Sequence, residues 1–222
     1  MFLRTTFRFF CGIALLPLCW AMGKTLVVII ATGKLYALCA GAGFFCAATI
    51  MTIRKCVGGG YIFLHELNHA VWSVIANTRV ISVVFGKNSG YVEVDRESVL
   101  GALAPYFFPI PLLIVAAAHG IFSILHIMNP ALRGVEFFAL GLGIGWHVVS
   151  SVVVLFQDHR DISQTGLFFS LSIIYTLFLF WCGLFTTILS PYFYLADFFA
   201  VSYKEITFIY GMSCRLLVSR IW

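Results

Sequence analysis

The chain has 222 residues, 61% of them hydrophobic and only 10% charged, and its fourteen basic and nine acidic side chains give a net charge of +5. A soluble domain carries about 25% charged residues. One small globule has no interior large enough to hide this much apolar surface, so an ordinary water-soluble fold is excluded and the lipid bilayer is the expected surrounding.

The basic excess is small and scattered, with no stripe or tail of the kind that grips nucleic acid, and no nucleic-acid partner is expected. Seven cysteines form no C-x-x-C pair and lie mostly in apolar runs. They read as small buried hydrophobes, not as a disulfide framework or a thiolate metal site.

Arg4 and Arg8 stand ahead of an apolar run at 9–22, a layout shared with secretory leaders. A retained first helix is expected instead. Apolar character resumes after Lys24, and Cys19-Trp20-Ala21 is a poor match to an A-x-A cleavage site. Gly23 and Lys24 interrupt residues 9–33, which form one long or two short elements. Beyond Lys34, a span at 35–53 contains Ala40, Gly41, Ala42 and Gly43, small residues that let helices approach closely in lipid. Arg54 and Lys55 close it, and Gly58-Gly59-Gly60 makes a flexible break.

A helix is expected over about 59–76, and it holds His65, Glu66 and His69 in the pattern HExxH. On a helix the two imidazoles lie one turn apart on nearly the same face, where they can grip one Zn²⁺. Glu66, beside the first of them, can reach a water at the metal instead of the metal itself. The flanks at 61–64 and 70–75 are nearly all apolar. An ionisable residue in such a setting costs about 2.5–3.5 kcal/mol on insertion scales, and a water-lined cation site offsets that cost.

Residues 80–85 and 91–94 are rich in β-branched and aromatic side chains, and Gly86 to Gly90 between them read as the turn of a β-hairpin over about 80–94. Residues 100–128 are apolar but broken by Pro105, Pro109 and Pro111. They form either a kinked span or a short re-entrant piece followed by a span. Asn129-Pro130 ends that stretch, and further spans follow at 135–156 and 167–189. Residues 192–222 are aromatic and less regular, forming one last span or interfacial helices. The fold class is therefore an all-α polytopic membrane protein, a single transmembrane domain over 1–222 with about five to six transmembrane helices and one small β-hairpin after the motif helix.

Zinc takes a third protein ligand and keeps one position open for water. The candidates are Asp158, His159 and Asp161 in the polar segment at about 157–166, with His147, His119 and His126 behind them. His119 and His126 are seven apart and read as helix-packing partners. His147 reads as an orienting residue behind the ligands or as an interfacial anchor beside Trp146. Glu136 and Asp197 read as residues at span ends.

HELNHA resembles the HExxHA motif of the site-2-protease group of intramembrane zinc metallopeptidases (M50), and the hairpin that follows resembles the β-element of its small M50B-like members. The segment from Trp146-His147 to Gln157-Asp-His-Arg-Asp161-Ile-Ser-Gln-Thr-Gly166 is similar to the stretch in which their third zinc ligand, an aspartate, heads a late helix. Of the two acids Asp161 fits better, with Asp158 the second choice. The larger members carry Leu-Asp-Gly after Asn-x-x-Pro, and this chain has no Leu-Asp-Gly. Nor is an inserted PDZ domain expected. Asn68 stands where glycine is commoner and is expected behind the ligands.

The resemblance implies regulated intramembrane proteolysis by one Zn²⁺ per chain, held by His65, His69 and Asp161, with Glu66 as general base. The substrates would be transmembrane proteins; the hairpin either holds their unwound strand at Tyr91, Val92 and Val94 by edge pairing or is a structural cap on the site. The compact form suits a multi-pass protein of a bacterial inner membrane. Two other readings stand beside it: a metal-ion transporter whose His and Asp line a pathway, and a non-catalytic relative that only binds membrane helices.

Overall fold

In a chain this apolar, helices satisfy their backbone polar groups internally and become the default element. The computed structural model describes residues 2–54, 59–86, 89–157, 160–163 and 165–218. Helix α1 (Phe2–Thr32) passes unbroken through Pro17, Gly23 and Lys24. Lys24 does not end it because the lysine has a partner: its Nζ lies 2.8 Å from both carboxylate oxygens of Glu205, far along the chain. A bend at Gly33 leads into α2 (Lys34–Arg54).

The motif helix is α3 (Gly59–Ile75). It stops where Asn77 takes a left-handed conformation at φ 55°, so that the Thr78 N–H reaches back to the Ser73 carbonyl at 2.9 Å. Strands β1 (Val80–Phe85) and β2 (Gly90–Val94) then pair antiparallel, with Val83 opposite Val92 and Val84 opposite Tyr91. A free hairpin is marginal. This one leans on α3, where Phe85 packs on Phe63 with ring centroids 4.8 Å apart.

Ser98 caps α4 (Val99–Phe107), its Oγ accepting the Gly101 N–H at 3.0 Å. Phe108, extended ahead of Pro109, then breaks the helix. Helix α5 (Ile110–Ile124) departs at 66° to α4, so the proline-rich stretch is a bent pair of short helices. Beyond α5, His126 has φ 55° and is exposed. It therefore lies off the helix and shares no face with His119, contrary to the seven-residue spacing.

Helix α6 (Pro130–Gln157) starts earlier than the apolar run suggests, because Asn129 caps it through Leu132 N–H at 2.9 Å and Pro130 suits a first turn. A short α7 (Arg160–Ser163), a long α8 (Leu167–Leu189) and a single α9 (Leu195–Val218) complete the order.

Among the described residues, α1, α2, α6 and α8 are long and apolar enough to cross a membrane, and α4–α5 makes a fifth if the bent pair counts as one span. That is short of the upper end of the expected range. With 17 residues α3 is too short, and α9 carries Asp197, Lys204 and Glu205.

Helices α2 and α6 are in the closest contact. A Cβ on Gly141 would overlap the Ala40 carbonyl oxygen, and one on Gly43 the Phe138 carbonyl oxygen, so the small residues of both helices are used backbone to backbone. On the other side α1 meets α8 through Cys19 and Thr176 at 2.9 Å, and α9 through Thr25 and Ser202 at 3.1 Å. Between these groups, Leu103, Ala104, Phe107 and Phe108 form a buried cluster with Ile162 of α7, flanked by Trp72 and Trp181. That cluster brings α3, α4, α7 and α8 to one place.

Candidate metal centre

Helical spacing puts His65 and His69 on one face of α3, and their Nε2 atoms lie 3.2 Å apart. His69 Nδ1 is 2.8 Å from the Gly101 carbonyl, which only accepts, so this nitrogen carries a proton, and in the neutral ring Nε2 is the nitrogen free to take a metal. His65 Nδ1 is 3.3 Å from the Tyr61 hydroxyl, one turn earlier on the same helix. Asp161 arrives from α7, with Oδ2 3.6 Å from His69 Nε2. The ligand atoms of His65, His69 and Asp161 all lie within 4.8 Å of one another.

These donors fit a tetrahedral cation. Zinc–nitrogen bonds of about 2.0–2.1 Å at a tetrahedral angle put two ligand nitrogens about 3.3 Å apart. The histidine pair already has that separation. Asp161 would have to move inward, since its Oδ2 is 3.6 Å from His69 Nε2 and the three ligand atoms spread over as much as 4.8 Å. Two imidazoles, once neutral, and one carboxylate are a combination that zinc accepts in catalytic sites and that leaves a fourth position open. Lying outside the long apolar helices, Asp161 is held below the ordinary carboxylate range. Burial opposes its charge, but the His69 imidazole and the hydrogen bond from Tyr106 outweigh that.

Glu66 is buried beside the pair and makes no hydrogen bond to either histidine. The hairpin touches it: a Cβ on Gly90 would come within 2.6 Å of Glu66 Cγ. By the two-residue period of a strand, Val92 and Val94 share the Gly90 side, facing α3, while Tyr91 is on the opposite, exposed side.

Behind the site the placements differ from a simple ring of orienting groups. Buried His147 donates from Nε2 to the Tyr106 carbonyl at 3.1 Å and stacks on Phe178, so it reaches the site through α4 and not by a bond to a ligand. Asn68 turns away from the ligands, its Nδ2 donating to the Phe108 carbonyl at the α4–α5 break at 3.1 Å. Glu136 is not at a helix end: it is buried in α6 and pairs with His119 Nδ1 at 3.0 Å. Asp197 does lie in the first turn of α9, where it accepts the Tyr194 N–H at 2.8 Å. Asp158 and His159 lie outside the described residues.

Three groups in direct contact with the candidate ligands are not among the residues that the sequence singles out. Tyr61 was legible in principle, four residues before His65 on a helix. The Gly101 carbonyl was not, since a backbone oxygen leaves no trace in composition. Tyr106, whose hydroxyl donates to Asp161 Oδ2 at 2.9 Å, had one weak signal: a polar tip in an otherwise apolar, proline-broken stretch. No family model, no curated protein and no solved structure matches this chain.

Proposed function

We propose that this chain is a membrane-embedded zinc endopeptidase of the site-2-protease type, hydrolysing peptide bonds of transmembrane protein substrates. One observation carries the reading: His65, His69 and Asp161 converge to within coordinating reach of a single point, with a buried carboxylate, Glu66, next to them. Four helices long and apolar enough to cross a membrane are compatible with a multi-pass location.

His65 Nε2, His69 Nε2 and a carboxylate oxygen of Asp161 would hold the zinc. When bound, zinc polarises a scissile carbonyl and brings the pKa of a water to about 7. Glu66 would accept a proton from the attacking water on its carboxylate and pass it to the leaving amide nitrogen as the peptide C–N bond breaks. The Gly101 carbonyl and the Tyr61 hydroxyl keep the two rings turned inward from behind. Among the described residues the hairpin has two strands, each with one edge not paired to a further strand. Its second strand begins against Glu66, and an unwound substrate segment paired along such an edge would lie with its backbone near that carboxylate.

The test is metal analysis of detergent-purified wild type and Glu66→Gln, together with cleavage of single-pass transmembrane test substrates. Zinc close to one per chain in both, with cleavage by the wild type alone, is expected. Zinc-loaded wild type that cleaves nothing, while Glu66→Gln in vesicles still moves the metal, would replace the enzyme with a transporter.

A further inference from the structure

Asp161 is the least anchored of the three candidate ligands. It comes from a four-residue helix, and its side chain is 30% exposed, whereas both histidines project from the middle of α3. A carboxylate in that position has freedom to turn its oxygens away, and something must aim it.

The geometry points to Tyr106 as a positioning residue that sets Asp161 for the cation, an inference that rests on the metal reading above. Tyr106 is 2% exposed on α4, and its hydroxyl donates to Asp161 Oδ2, the oxygen that faces His69. Its ring is itself fixed. It packs edge-on against His65 with centroids 5.5 Å apart, and its own carbonyl accepts from buried His147. The next residue along α7, Ile162, is buried among Leu103, Ala104 and Phe107. Thus α4 holds α7 at two successive positions, one apolar and one polar. The apolar contact sets the height of α7 and the hydroxyl sets the rotation of the carboxylate. A phenol suits this task. It keeps its proton at neutral pH, donates one hydrogen bond, and does not compete for the cation as a second carboxylate would. Hydrogen bonds of this kind behind a ligand are worth about 10- to 100-fold in metal affinity.

The test uses Tyr106→Phe, which removes one oxygen and leaves the ring on His65. Zinc affinity is measured by competition with a chromogenic chelator on the folded, detergent-purified chain, in the wild-type and the Asp161→Asn backgrounds. The visible spectrum of the cobalt-loaded protein serves as a second readout. The expected result is a loss of about 10- to 100-fold in the wild-type background, with an altered cobalt spectrum. In the Asp161→Asn background the loss should stay within about 2-fold, because the hydroxyl then has no carboxylate to aim. Equal affinity and an unchanged cobalt spectrum for wild type and Tyr106→Phe would overturn the inference and leave the metal reading standing. The same loss in both backgrounds would also overturn it, since that marks a packing effect. A wild type that takes up neither zinc nor cobalt would remove the metal reading and this inference together.

Discussion

Gly90 decides how near the hairpin can come to the site. Any other residue there carries a Cβ that would lie 2.6 Å from Glu66 Cγ and 2.9 Å from the Val84 carbonyl oxygen, so the glutamate side chain must move and the strand pairing at Val84 must also give. Gly90→Ala is therefore predicted to displace the carboxylate without touching the ligands. A misplacement of about 1 Å in a reacting group costs about 100-fold in rate. Cleavage should fall by that order while zinc content stays at the wild-type level. Glu66→Gln removes the proton acceptor altogether and should cost about 100- to 10,000-fold, again with zinc retained. The two variants are measured side by side by metal analysis and by initial rates on one transmembrane substrate. Loss of zinc in either would mean that Glu66 or its neighbour supports the cation directly.

At the scale of elements, α5 is a helix held by little. Of its side chains only Leu112 is fully buried, and the chain bends by 66° where α5 leaves α4. The polar link to its neighbour is the His119–Glu136 pair, at 3.0 Å. Glu136 has its other oxygen buried without a partner. Removing one partner of a buried hydrogen bond leaves the other unsatisfied and costs about 1–3 kcal/mol, whereas replacing both partners by apolar residues can be nearly neutral. His119→Ala should therefore lower the melting temperature in detergent, and His119→Leu combined with Glu136→Leu should recover most of it. If the double variant melts no higher than the single one, the pair is not what fastens α5 to α6. Asn68 holds the other end of this helix pair by its bond to the Phe108 carbonyl, a use that motif spacing gives no hint of.

Across the whole molecule, what the sequence disclosed is what depends on local geometry. The face shared by His65 and His69 follows from helical period alone, and the hairpin follows from two β-rich runs around a glycine-flanked turn. Asp161 was picked by resemblance to a segment, and the structure brings that residue to the histidines. Contacts between elements were out of reach. Gly101 and Tyr106 meet the ligands only because α4 packs between α3 and α7. Glu136 lies inside α6 and not at its end because the helix begins at Pro130, ahead of its apolar run, and the side chain is buried. The same packing has a consequence for stability. The candidate ligands come from α3 and α7, far apart in the chain, and the buried cluster on α4 lies between them. A cation held by all three joins those segments in the folded state and has no equivalent site in the unfolded one. Binding of that kind stabilises by about 4 kcal/mol when free ligand is a thousandfold above its dissociation constant. Stripping the metal with a chelator should lower the melting temperature of the wild type, and added zinc should restore it. His65→Ala and Asp161→Asn should melt near the chelated wild type and respond only weakly to zinc, because each removes one of the three bonds that tie α3 to α7. A wild type whose melting ignores both chelator and zinc would be inconsistent with a cation seated between these helices.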